Sequence, residues 1–175
     1  HFKHAGAVNV LLSELEQLDS LILTGEGGFH SSSGNCRIVD ILDIITKLST
    51  APNIDERRLT MLENLRLVVH NPPEENINSL AESKLTNPCL EHVWIEGCYK
   101  MEKLMLACAR IERLHVANCP SLLFFGFHEG YGESLEDLTL TNCTSLLPQA
   151  IGQLKLPSLK RLEVDKMIGL NDLQI

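Results

Sequence analysis

Residues 110–122 read RIERLHVANCPSL, and their apolar side chains keep an unusual rhythm. Ile111 and Leu114 are three apart, Leu114 and Val116 two, and Cys119 and Leu122 follow at intervals of three. A helix would turn Leu114 and Val116 to different faces. A lone strand would explain that pair but not a cysteine fixed beyond its end. The frame apolar-x-x-apolar-x-apolar-x-x-Cys recurs. It holds Leu90, Val93, Ile95 and Cys98 in LEHVWIEGC, and Leu135, Leu138, Leu140 and Cys143 in LEDLTLTNC. Leu159, Leu162 and Val164 fit it, with Met167 at the cysteine position; Leu62, Leu65 and Leu67 lead to His70, and Leu18, Leu21 and Leu23 to Glu26. All three core positions are apolar in all six copies. At 44% apolar composition, chance would give this about once in a million or more trials. The repeat is a property of the chain.

The frames start at 18, 62, 90, 111, 135 and 159, so the last four steps span 21 to 28 residues. This is the period of leucine-rich repeats, and over most of its length the chain resembles leucine-rich-repeat proteins. That resemblance implies one α/β domain over 1–175, a horseshoe-shaped solenoid with a concave parallel β-sheet and an irregular or helical convex side. Each frame supplies a short strand such as Leu114-His115-Val116, with Leu114 and Val116 inward and His115 outward. The ninth position, often Asn in that family, turns the chain away. Cysteine serves there as a small, buried residue with a weak S–H donor. Leu122, Leu146 and Leu170, three residues further on, refill the core.

Between the frames at 18 and 62, NCRIVDILDIITKLSTAPN offers two readings. A hidden repeat would use Val39, Leu42 and Ile44. The longer stripe Ile38, Ile41, Leu42, Ile45 and Leu48 favours a helix, with Asn35 as N-cap and Pro52 as stop. GAVNVLLSELEQ reads as a similar helix. TGEGGFHSSSGN, residues 24–35, reads as a mobile Gly/Ser loop, and HNPPEENINS as a second long loop.

Composition narrows the chemistry. The chain has 175 residues, a net charge of −8 and no Lys/Arg cluster, so nucleic acid and anionic membranes are poor partners. No apolar run approaches a membrane span, and HFKHAGAVNV carries neither a secretory signal pattern nor an initiator Met, which suggests a fragment of a longer protein. The six cysteines form no C-x-x-C pair, which weakens a zinc ribbon or thioredoxin-like site. Their even count allows disulfides, but a chain this large and Leu-rich does not need them, so we read reduced thiols in an intracellular, cytoplasmic setting. The glycine loop lacks the G-K-[ST] ending of a phosphate cradle. His1 and His4 are the only close histidines, and no nucleophile or metal motif is present. We expect no catalysis, metal or cofactor.

The informative residues are the outward ones at the centre of each frame: Ile22, Arg66, Trp94, His115, Thr139 and Glu163. Glu91, His92, Glu96, Arg113, Asn118, Asp137, Asn142, Arg161 and Asp165 flank them. Arg66, Trp94, His115, Thr139, Glu163, His92, Glu96 and Arg113 are the expected partner-binding set, because Trp and Arg concentrate at protein interfaces. The competing reading packs Trp94 under a neighbouring loop.

Two stretches, CLEHVWIEGCYKMEKLMLACARIERLHVANCPSL and LPQAIGQLKLPSLKRLEV, resemble the irregular repeats of plant intracellular nucleotide-binding leucine-rich-repeat disease-resistance receptors. Such a resemblance implies a sensor of innate immunity. It would bind a pathogen effector or host protein and restrain the other domains of the same receptor. F-box ubiquitin-ligase subunits also favour cysteine at this turn, so a substrate-recruiting domain is the rival, and a stand-alone adaptor a third possibility.

Overall fold

The structure is a computed structural model that describes residues 20–26, 29–31, 34–36, 45–46, 62–70, 81–99 and 101–167. It is a parallel-strand β-solenoid. Six strands, β1 (Ser20–Glu26), β4 (Asn64–His70), β6 (His92–Glu96), β8 (Arg113–Ala117), β10 (Asp137–Thr141) and β11 (Arg161–Asp165), form one parallel sheet in that order. Each belongs to one copy of the repeat, and the copies align residue for residue. Leu21, Leu65, Val93, Leu114, Leu138 and Leu162 occupy one row, and Ile22, Arg66, Trp94, His115, Thr139 and Glu163 the next. The spacing of two between frame leucines thus sends each pair inward and leaves the residue between them on the solvent side.

Burial follows the frame. Leu62, Leu65, Leu67, Leu90, Val93, Ile95, Ile111, Leu114, Val116, Leu135, Leu138 and Leu140 are all buried. Frame 159 departs: Leu162 is 45% exposed, and Leu159 and Val164 are half-buried. The reason is position. β11 has a sheet neighbour on one side only, so no further described turn covers it. Leu18 and the side chain of Leu23 lie outside the described residues.

The turn after each strand repeats as closely as the strand. The residue before the cysteine position is left-handed in four copies: Gly97 (φ 79°), Asn118, Asn142 and Lys166 (φ 53° each). Glycine and asparagine tolerate that conformation best. Cys98, Cys119, Cys143 and Met167 are then buried, and the backbone N–H groups of Met101, Leu122 and Leu146 bond back to the carbonyls of Cys98, Cys119 and Cys143. Met101, Leu122 and Leu146 refill the core, all at 3% exposure or less. The thiols act as weak donors, Cys119 Sγ to Ala117 O at 3.2 Å and Cys143 Sγ to Thr141 O at 3.6 Å. Leu170 lies outside the described residues.

The opposite side differs from the expected irregular or helical surface. Three more parallel strands, β5 (Ala81–Thr86), β7 (Met101–Ala107) and β9 (Phe124–Phe127), form a second sheet there. Leu85, Leu104, Leu106 and Phe125 turn inward and join the frame leucines in one core between the two sheets. The return segments run extended here, and their backbone groups bond between neighbouring strands, β5 with β7 and β7 with β9. Among the described residues helix is limited to α1 (Pro148–Gly152), opened by proline in its first turn, and to Ile45 and Thr46. Ile45 is fully buried, and Thr46 Oγ1 accepts the Thr86 N–H at 2.9 Å, so this helical backbone lies against the end of β5. At those two residues the helical reading of 38–48 holds; the rest of that stretch, the helix read over 6–17 and the loop after His70 lie outside the described residues. The stretch read as a mobile loop over 24–35 instead contributes the end of β1 and an antiparallel pair, β2 (Phe29–Ser31) with β3 (Gly34–Cys36). No helix among the described residues is long and apolar enough to cross a membrane.

Candidate functional site

The solvent side of the six-stranded sheet carries an open depression of about 430 Å³. Its floor is built by the register. Parallel strands about 4.8 Å apart bring residues 21 to 44 positions apart in sequence side by side. Ile22, Arg66, Trp94, His115 and Thr139 line it along the central row, and Asn64, His92, Arg113, Asp137 and Arg161 along the row toward the strand starts.

Three of these side chains form a stack. The Trp94 and His115 rings lie parallel within 19°, their centroids 3.6 Å apart, and the Arg66 guanidinium sits 4.6 Å from the Trp94 ring centre. A stack of this type contributes about 0.5–1.5 kcal/mol beyond burial, and an exposed cation–π contact about 0.5–1 kcal/mol. Trp94 Nε1 donates to Glu96 Oε2 at 3.1 Å, and Asn118 Nδ2 donates to Glu96 Oε1 at the same distance. Asn142 Nδ2 continues the chain to Asn118 Oδ1 at 2.9 Å. The indole is therefore held at both faces and at its polar edge. It is half-buried on the solvent side of the sheet, with side chains of its own row covering its faces.

The electrostatics of the stack favour a neutral imidazole. Burial lowers the His115 pKa from 6.5; Glu96 and Glu163 pull it back up, and Arg66 pushes it further down. Toward the strand starts, Asp137 Oδ2 serves two guanidiniums, Arg161 Nη2 at 3.0 Å and Arg113 Nε at 3.6 Å. His92 Nδ1 lies 2.7 Å from Asn64 Oδ1. Outside the depression, Glu91 pairs with Arg110, and Glu136 with Lys160 at 2.7 Å.

The structure thus brings together Arg66, Trp94, His115, Thr139, His92 and Arg113 of the expected binding set. Glu96 adjoins them as the anchor of Trp94. Glu163 shares the central row but lies on β11, exposed and outside the depression. Asn64 was not singled out from the sequence. Its signal was present, since it holds the frame position of His92 and Arg113.

The buried thiols form a column rather than a reactive centre. Burial pushes Cys108 up to about 12. Cys119 and Cys143 are also raised: the hydrogen bond with Cys143 lowers Cys119, but Cys98 and burial outweigh it, while Cys119 and then burial raise Cys143. Such thiols stay protonated and unreactive. Among the described residues no group of three His, Cys, Asp or Glu side chains is placed to hold a metal ion. No protein-family model matches the chain, and neither a curated protein nor a solved structure matches it.

Proposed function

We propose that this chain is the leucine-rich-repeat sensor of a plant intracellular immune receptor. In this reading the solenoid is the curved horseshoe of that family, and the face with the depression is its concave, protein-binding side. Its ligand is a pathogen effector or a host protein, and other domains of the same cytoplasmic receptor are restrained through it. The domain binds and does not catalyse. The observation that carries protein recognition is the Arg66–Trp94–His115 stack on a solvent-side sheet. A pre-stacked indole and guanidinium present large, rigid contact area at little entropic cost, which is the make-up of interface hot spots. The receptor assignment rests on the resemblance of the irregular repeats to that family; the cysteine turn itself is shared with F-box subunits.

The test has two parts. The coding sequence upstream discriminates the settings: a phosphate-binding loop motif supports the receptor, an F-box helix cluster the ligase subunit, and an immediate start codon the adaptor. For the face itself, proteins cross-linked to the full-length chain are compared among wild type, Trp94→Ala, Arg66→Ala and Phe124→Ala. The same partner should be lost from the first two variants and kept by the third, whose change is on the other sheet. Loss confined to Phe124→Ala would move the recognition surface to that sheet and end the proposal.

A further inference from the structure

The depression reverses the charge of the molecule around it. The chain carries −8 overall, yet Arg66, Arg113 and Arg161 line the depression against the single carboxylate of Asp137. That carboxylate is shared: one oxygen faces both Arg113 and Arg161. Arg66 has no ion-pair partner among the described residues, its guanidinium lying over the indole instead. Glu96 and Glu163 are near but do not line the depression. Both Glu96 oxygens accept hydrogen bonds, from Trp94 and Asn118, toward the ends of the strands. Beside Arg66 in register, Ile22 is 63% exposed, an apolar group of unusual openness next to unpaired positive charge.

We propose that this depression takes an acidic segment of a partner protein that also carries an apolar side chain. Its carboxylates meet Arg66, Arg113 and Arg161, and its apolar group covers Ile22. The assignment rests on the recognition-face reading above and adds the chemistry of the ligand to it. Charge complementarity selects the occupant. Guanidiniums pair with carboxylates in bidentate fashion, and three of them around one shared Asp leave positive charge unmet. A polyphosphate chain needs a basic stripe along which to run, and Arg110 and Lys160 outside the depression are already paired with Glu91 and Glu136. A basic segment would meet like charge at the floor, which costs more than neutral contact.

The test uses a displayed library of random decapeptides selected on the folded chain, followed by anisotropy titrations with fluorescein-labelled peptides from the selected set. Selected peptides should be rich in Asp and Glu beside an apolar residue, and added salt should weaken them. Arg66→Ala and Arg113→Ala should each weaken binding about five- to tenfold, and Ile22→Ser should weaken it too. Asp137→Asn should tighten it severalfold, because it releases two guanidiniums at once. Thermal melts identify any variant that has lost its fold, and Arg66→Lys then replaces Arg66→Ala as the milder change. Neutral or basic selected peptides, or an Asp137→Asn variant that binds no better, would overturn the acidic assignment. If those peptides still depended on Trp94, the recognition face would stand without it. Binders indifferent to Trp94, Arg66 and Ile22, or no binders at all, would remove the face itself. Displacement of the peptides by a DNA oligonucleotide would overturn the choice of a protein segment.

Discussion

Leu114 and Leu162 hold the same frame position in the same sheet, and a leucine-to-alanine change at each separates register from composition. Leu114 is 1% exposed on β8, between β6 and β10, where truncation leaves a closed cavity in the core. Large-to-small changes of that kind cost roughly 2–5 kcal/mol. Leu162 is 45% exposed on β11, so about half its apolar surface is already in water and truncation opens no sealed void. From roughly 1.5–3 kcal/mol for full burial of such a side chain, Leu162→Ala should cost about 1 kcal/mol. Urea unfolding followed by fluorescence gives both values in one assay, since Trp94 is the sole tryptophan and its stack with His115 breaks on unfolding. Equal costs for the two variants, or a Leu114→Ala cost below about 1 kcal/mol, would show that the frame does not set the core and would refute the register.

Three further outcomes are expected. The left-handed Asn118 makes Asn118→Ala more damaging than Asn118→Gly, by roughly 1 kcal/mol; both lose the bonds to Glu96 and Asn142, so the difference in urea midpoints isolates the backbone term, and equal midpoints would deny it. For His115 the folded pKa is below 6.5, so the unfolded chain binds the extra proton. Its contribution to stability is present above pH 6.5 and lost as pH falls through the folded value; an NMR titration midpoint above 6.5, or a His115→Gln melting profile as steep as wild type below that pH, would contradict this. Buried Cys108, Cys119 and Cys143, all with raised pKa, should resist a thiol reagent at pH 8 until urea unfolds the chain. Fast labelling of any of the three, mapped by mass spectrometry, would contradict the buried column.

The six-stranded sheet was legible in the sequence because its signal is redundant. Each of the six frames repeats the inward pair, so one register satisfies all of them, and Trp94 falls between Arg66 and His115 without reference to any contact. The second sheet was not legible. Its strands lie in return segments of unequal length, KMEKLMLACAR in one unit and SLLFFGFHEG in the next, with no shared frame to align them. Only the pairing of β5, β7 and β9 reveals why Leu104 and Phe125 turn inward. The left-handed turn was half legible: the cysteine position was marked, but the strain falls one residue earlier, on Gly97, Asn118, Asn142 and Lys166. Contacts between rows, such as Asp137 with Arg113 and Arg161, depend on side-chain reach that frame spacing does not encode.

The central row has a consequence for how such a surface can change. Ile22, Arg66, Trp94, His115, Thr139 and Glu163 occupy one position of one repeating backbone, yet they are six different residue types. The flanking inward positions are apolar in every copy. The chain has therefore separated a fixed grammar from a free vocabulary. Letters of the row can be exchanged between rungs, changing the chemistry the face presents while the coil beneath it stays the same.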